Sequence, residues 1–155
     1  MKVGEAMTRG VDLIDPAATV QEAAEQMAAD DVGAVLVGRD GRLEGVLTDR
    51  DILIRVVVKG RDVTGTAIGD VMSRDLHVCH EDDDAEHAFA LMRAGQIRRM
   101  PVLDAQDHLA GIVTLSDLGR HGIQPGPELL RRLAEPHRDP EAPAHPETMV
   151  RHSVT

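Results

Sequence analysis

The 155-residue chain is 42% hydrophobic and 28% charged, proportions that fit one globular domain or two half-size units sharing a core. Its net charge of -10 excludes the broad basic surface that nucleic acid or an anionic membrane requires, though not a locally basic pocket. Phe89 is the sole aromatic residue, so Val, Leu, Ile, Met and Ala must build the core, and a bound base would lie between aliphatic side chains.

The predicted elements come twice. Residues 11–14 are a short apolar strand closed by Asp15-Pro16. Thr19 and Glu22 have the spacing of a capping box, in which hydroxyl and carboxylate satisfy free amides at a helix start. Val20, Ala23, Ala24, Met27 and Ala28 then form one apolar helical stripe. Residues 32–37 are a continuous apolar run of strand length, expected to be buried on both faces. Asp40-Gly41 turns the chain, and residues 43–48 return as the next strand. Ile52, Ile54, Val56, Val57 and Val58 are β-branched, which favours a strand, yet Lys59-Gly60 closes the segment as a helix closes. A helix is expected, with tertiary context overriding propensity.

Gly4-Glu5-Ala6-Met7-Thr8 returns as Gly69-Asp70-Val71-Met72-Ser73, a period of about 65 residues. Ala23, Met27 and Val32 are answered by Ala88, Met92 and Ile97, and Asp84 takes the capping place ahead of a second stripe. Gly45-Val46-Leu47-Thr48-Asp49-Arg50-Asp51 returns as Gly111-Ile112-Val113-Thr114-Leu115-Ser116-Asp117 after a slip of one residue. The slip falls in the turn, residues 38–42 against 104–108, where a duplication tolerates it. After Gly122 come a short helical signal over residues 128–135 and a Pro-rich tail, whose His137, His145 and His152 lack metal-ligand spacing.

The repeated heptad describes a strand that ends at a hydroxyl and opens into a helix. Free amides and the positive dipole end at such a start suit an anion such as phosphate. Thr48 or Thr114 adds a hydroxyl, and Asp51 or Asp117 can accept from two ribose hydroxyls. The plain alternative is that a carboxylate in a first helical turn stabilises the helix and does nothing else. A second constellation comprises His77, Cys79 and His80, with Asp82, Asp83, Asp84 and His87 behind them. His77 and Cys79 share one strand face, as metal ligands would, but a solvated strand and helix start is the simpler account. No nucleophile elbow, H-E-x-x-H motif or P-loop occurs, so the expectation is a binding module without catalysis.

Residues 4–121 resemble a tandem pair of CBS domains, the Bateman module, through the two heptads and through Ile97-Arg98-Arg99-Met100-Pro101-Val102-Leu103-Asp104. The resemblance implies an α/β fold of two pseudosymmetric β-α-β-β-α repeats, over residues 1–61 and 62–122, with 123–155 as helix and tail. It implies two clefts for an adenine nucleotide (AMP, ADP or ATP), a homodimer, and output through an unknown effector protein. The implied site residues are Val32, Thr48, Arg50 and Asp51 in the first repeat, and Ile97, Arg98, Arg99, Thr114, Ser116 and Asp117 in the second. Asp51 and Asp117 would hold ribose, Thr48 and Thr114 phosphate, and the backbone of Val32 and Ile97 the adenine edge. Arg98 and Arg99 are either phosphate ligands or plain exposed charges. Gly33 and Ala34 stand at their places in the first repeat and Leu36 at that of Pro101, so the clefts should differ, with the second favoured for a charged ligand even if Arg50 helps the first.

The rival readings are a structural or stress-related interaction module with empty clefts, and a small metal-binding protein using residues 77–87. The start of the chain lacks the apolar core of a signal peptide, no run approaches the ~20 apolar residues of a membrane span, and Cys79 has no partner cysteine. A reducing cytoplasm is therefore the expected compartment.

Overall fold

In the computed structural model, which describes residues 1–124, 126–128 and 131, Thr19 caps a helix as its spacing predicts. Its hydroxyl accepts from the Glu22 amide and the Glu22 carboxylate accepts from the Thr19 amide. The first repeat contains helix α1 (Val3–Ala6), strand β1 (Thr8–Arg9), helix α2 (Val20–Asp30), strands β2 (Ala34–Arg39) and β3 (Arg42–Thr48), and helix α3 (Asp49–Ile52). Helix α3 runs on as a π-helical turn, Leu53–Val57, so tertiary context does override the β-branched propensity there. A 3-10 turn, Ile68–Asp70, leads to strand β4 (Cys79–His80), helix α4 (Ala85–Ala94), strands β5 (Arg99–Leu103) and β6 (Leu109–Thr114), and helix α5 (Leu115–Arg120). The helix expected over residues 128–135 and the tail lie largely outside the described residues.

One sheet has the order β1-β6-β5-β4, with β4 and β5 parallel and the other pairs antiparallel. The other is the antiparallel pair β2-β3, flanked by single bridges from Ile14 to Val37 and from Ser73 to Val46. The strand expected over residues 11–14 therefore shrinks to Ile14. Its amide donates to the Leu36 carbonyl and its carbonyl accepts from the Gly38 amide, both at 2.9 Å, before Asp15 turns the chain. The run 32–37 also differs from expectation. Val37 is buried, but Val35 and Leu36 are half-buried and Ala34 is exposed, because one face of β2 borders open cavities.

Two apolar cores result, and they exchange their leading segments. Val3 and Ala6 pack with Cys79, Ala88, Met92, Val102, Val113 and Leu118 in the core of the second repeat. Val71 and Met72 pack with Val20, Val37, Leu47, Val56 and Ile68 in the core of the first. The sheets follow the same exchange, since β1 lies on β6 and Ser73 lies on β3. This accounts for the glycine that opens each heptad. A Cβ on Gly45 would stand 2.7 Å from the Ser73 carbonyl oxygen, and one on Gly111 would overlap the Thr8 carbonyl. The crossing backbones need the space a side chain would fill.

Candidate functional site

The inner faces of the two hairpins meet over a pair of cavities. The larger, about 550 Å³, is bordered by residues 31–36 and Val46 of the first repeat. Asp75, Leu76 and His77 of the connecting segment and Ile97, Arg99, Met100, Pro101 and Ile112 of the second repeat complete it. The smaller, about 430 Å³, is bordered by residues 10–14, Gln26, Asp30, Val32 and residues 34–36, with Arg99 and Ile112 from the other repeat. Each cavity thus has a wall made by the segment leading into one repeat. Sequence reasoning missed those walls, and residues 11–14 and 75–77 carry only their place before each helical stripe as a signal.

Register fixes the asymmetry between the halves. Arg99 pairs with Thr114 at the mouth of one hairpin, and Ala34 pairs with Thr48 at the corresponding place in the other. Val32, Ile97 and Arg99 are the expected site residues that line a cavity. The Val32 amide donates to the Met27 carbonyl and the Ile97 amide to the Met92 carbonyl, so the backbone there can offer a ligand its carbonyl oxygen. The carbonyls of Gly33 and Arg98 accept from the amides of Asp49 and Leu115, which joins each cavity rim to a helix start.

At those starts the heptad forms two capping boxes. The Thr48 hydroxyl accepts from the Asp51 amide at 3.0 Å, and the Asp51 carboxylate accepts from the Thr48 amide at 3.1 Å. Thr114 and Asp117 repeat both bonds at 3.0 Å. The second carboxylate oxygen of Asp51 lies 3.7 Å from Arg55, and that of Asp117 lies 3.5 Å from Arg120. Both threonines keep a hydroxyl hydrogen that can be donated. Thr48, Thr114, Asp51 and Asp117 are half-buried and stand beside the cavities rather than in their walls, while Arg50, Arg98 and Ser116 are exposed and also lie outside the walls.

The residues of the metal constellation disperse to separate partners. Cys79 is buried, its sulfur facing the Pro101 carbonyl at 3.8 Å, and burial pushes its thiol up to about 12. The His80 ring meets Asp107 at 3.0 Å, a hydrogen bond that raises its pKa, and His77 lines the larger cavity. Asp82 pairs with Lys2, Asp83 accepts from the His80 amide, and Asp84 caps α4 through the Glu86 amide. Among the described residues, no three His, Cys, Asp or Glu side chains converge as a metal site would require. None of the described helices is long and apolar enough to cross a membrane.

The CBS domain profile matches residues 3–58 and 68–121. The CBS domain-containing protein YhcV of Bacillus subtilis is 44% identical over 116 residues, 75% of this chain and 81% of that protein. Hypoxic Response Protein I, solved with two coordinated zinc ions, superposes with a TM-score of 0.70 at 32% identity, over 78% of this chain and 98% of that one. CBSX2, solved in complex with AMP, superposes with a TM-score of 0.66 at 28% identity, over 79% of this chain and 96% of that one.

Proposed function

Because this chain belongs to the CBS-domain family, we propose that it is a regulatory module without catalytic activity, one that binds an adenine nucleotide reversibly between its two repeats. The observation that carries the reading is Arg99. It lines the larger cavity together with Ile97, on a strand whose register sets it next to Thr114. A phosphate there would meet a cation and the neighbouring Thr114 hydroxyl, and the base would rest on Val32, Leu36, Ile97 and Pro101. A cavity of about 550 Å³ is within the range of small-molecule sites. The AMP carried by CBSX2 supports the same ligand class.

Such binding changes the packing between two hairpins, and that change is the signal a partner protein would read. Leu53, Ile54, Val57 and Val58 are exposed apolar residues on the π turn after α3 and at its end, which supports a homodimer as the working assembly. The competing reading is a ligand-free interaction module. It is favoured by the capping boxes, in which the Asp51 and Asp117 carboxylates accept from the Thr48 and Thr114 amides. Calorimetric titration with AMP, ADP and ATP separates the two. Saturable binding at micromolar concentration is expected. Absence of heat up to millimolar nucleotide would leave the interaction module as the function.

A further inference from the structure

The two cavities share Val32, Ala34, Val35, Leu36, Arg99 and Ile112. Among these and the other described lining residues, Arg99 is the single Lys or Arg of either cavity. The acidic residues are not shared. Asp31 and Asp75 border the larger cavity, and Asp12 and Asp30 the smaller. Arg99 is exposed, borders both cavities and, unlike Arg55 or Arg120, forms no ion pair with a described residue. A faithful duplication would supply a second cation, but Ala34 occupies that position in the register.

The geometry points to mutual exclusion: the module takes one anionic ligand at a time, because both cavities depend on the Arg99 guanidinium. This inference rests on the clefts being nucleotide sites. A phosphate in one cavity draws the guanidinium to itself and also leaves its own negative charge next to the acidic rim of the other. The second cavity then loses its counter-charge and gains a repulsion, in a chain already at -10. Coupling between sites commonly amounts to 5–150-fold in affinity, and a second AMP should bind at least about tenfold more weakly than the first. An uncharged nucleoside has no such dependence on Arg99.

Native mass spectrometry and calorimetry with AMP and adenosine test this on the intact chain. Wild type should bind one AMP per chain tightly and a second at least about tenfold more weakly, while adenosine fills the two cavities without mutual penalty. Ala34→Arg, at an exposed position, should restore the missing cation and admit a second AMP. Arg99→Ala should bring AMP affinity down to that of adenosine in both cavities. Two AMP molecules bound to wild type with equal affinity would overturn the inference and leave nucleotide binding intact. Adenosine saturating at one per chain would also overturn it, since exclusion would then be steric. Failure of every nucleotide and nucleoside to bind removes the proposed function, and this inference with it.

Discussion

Asp117 has two jobs under the proposed function, and substitution can pull them apart. Its carboxylate completes the capping box by accepting from the Thr114 amide at 3.0 Å. In the nucleotide-bound state it would also accept from ribose hydroxyls. Asp117→Ala removes both roles: loss of the hydrogen bond to the Thr114 amide costs about 0.5–1.5 kcal/mol of stability, and loss of hydrogen bonds to a charged group costs ~1.5–3 kcal/mol of binding. The second figure corresponds to roughly ten- to a hundredfold in affinity. Asp117→Asn is the sharper variant. Its amide oxygen can still accept from Thr114, so stability should stay within about 0.5 kcal/mol of wild type. Its NH2 group stands where a second ribose hydroxyl needs an acceptor, so AMP should bind about tenfold more weakly. Asp51→Asn should affect AMP less, because Ala34 leaves that hairpin without its own cation. Urea unfolding followed by circular dichroism gives the stability, and calorimetry gives the affinity of a chain that lacks Trp and Tyr. If Asp117→Asn binds AMP as tightly as wild type, the carboxylate is a helix cap and nothing more.

Gly111→Ala should destabilise the fold by about 1–3 kcal/mol in urea unfolding, since the added methyl overlaps the Thr8 backbone. Gly119→Ala, in the same region with nothing within 4 Å, should stabilise α5 by about 0.5–1 kcal/mol; equal effects of the two would refute the crowding argument. His80 has a pKa raised above the ordinary histidine value of 6.5, chiefly by its hydrogen bond to Asp107. The stability it contributes is fully present below that value and is lost as pH rises through the folded-state pKa, so His80→Gln should flatten this part of the stability profile. Sedimentation equilibrium at micromolar concentration should give twice the 16.8 kDa chain mass, and a Val57→Glu, Val58→Glu double variant should return the single mass. Cys79 should resist thiol labelling until the protein unfolds, and zinc should leave the melting temperature unchanged; a saturable increase abolished by Cys79→Ser would restore the metal reading.

The elements that periodicity or capping chemistry dictates were legible in the sequence. The Thr19-Glu22 box and the two heptads lie where their spacing puts them, while of the expected helical stripe Val20, Ala23 and Met27 are buried and Ala24 and Ala28 are exposed. The helix through Val56 and Val57 was legible from its glycine stop rather than its propensity, and Gly60 does take a left-handed conformation with φ 65°. The burial of residues 32–37 was misread, because an apolar run has the same pattern whether its second face meets a packed core or a cavity. The walls built by residues 11–14 and 75–77 depend on tertiary contacts between segments far apart in the chain, and local pattern carries no record of those. That Asp51 and Asp117 stabilise a helix start was legible from their first-turn positions, but their reciprocal bonds with Thr48 and Thr114 were not read. Sharing of Arg99 was not legible, since it needs both hairpins in place.

The interchange of leading segments makes the chain a domain swap closed upon itself. Helix α1 is synthesised well ahead of its packing partners Ala88, Met92 and Leu118. The first core likewise waits for Val71 and Met72 before it is whole. Neither half can finish folding while it emerges alone, so the final assembly is deferred until both are available, a slow topology relative to two local folding units. The same arrangement makes the halves natural complements. A backbone cut at Gly60 yields two pieces, each holding the stretch that the other's core lacks, and reassociation of those pieces rebuilds both cores at once.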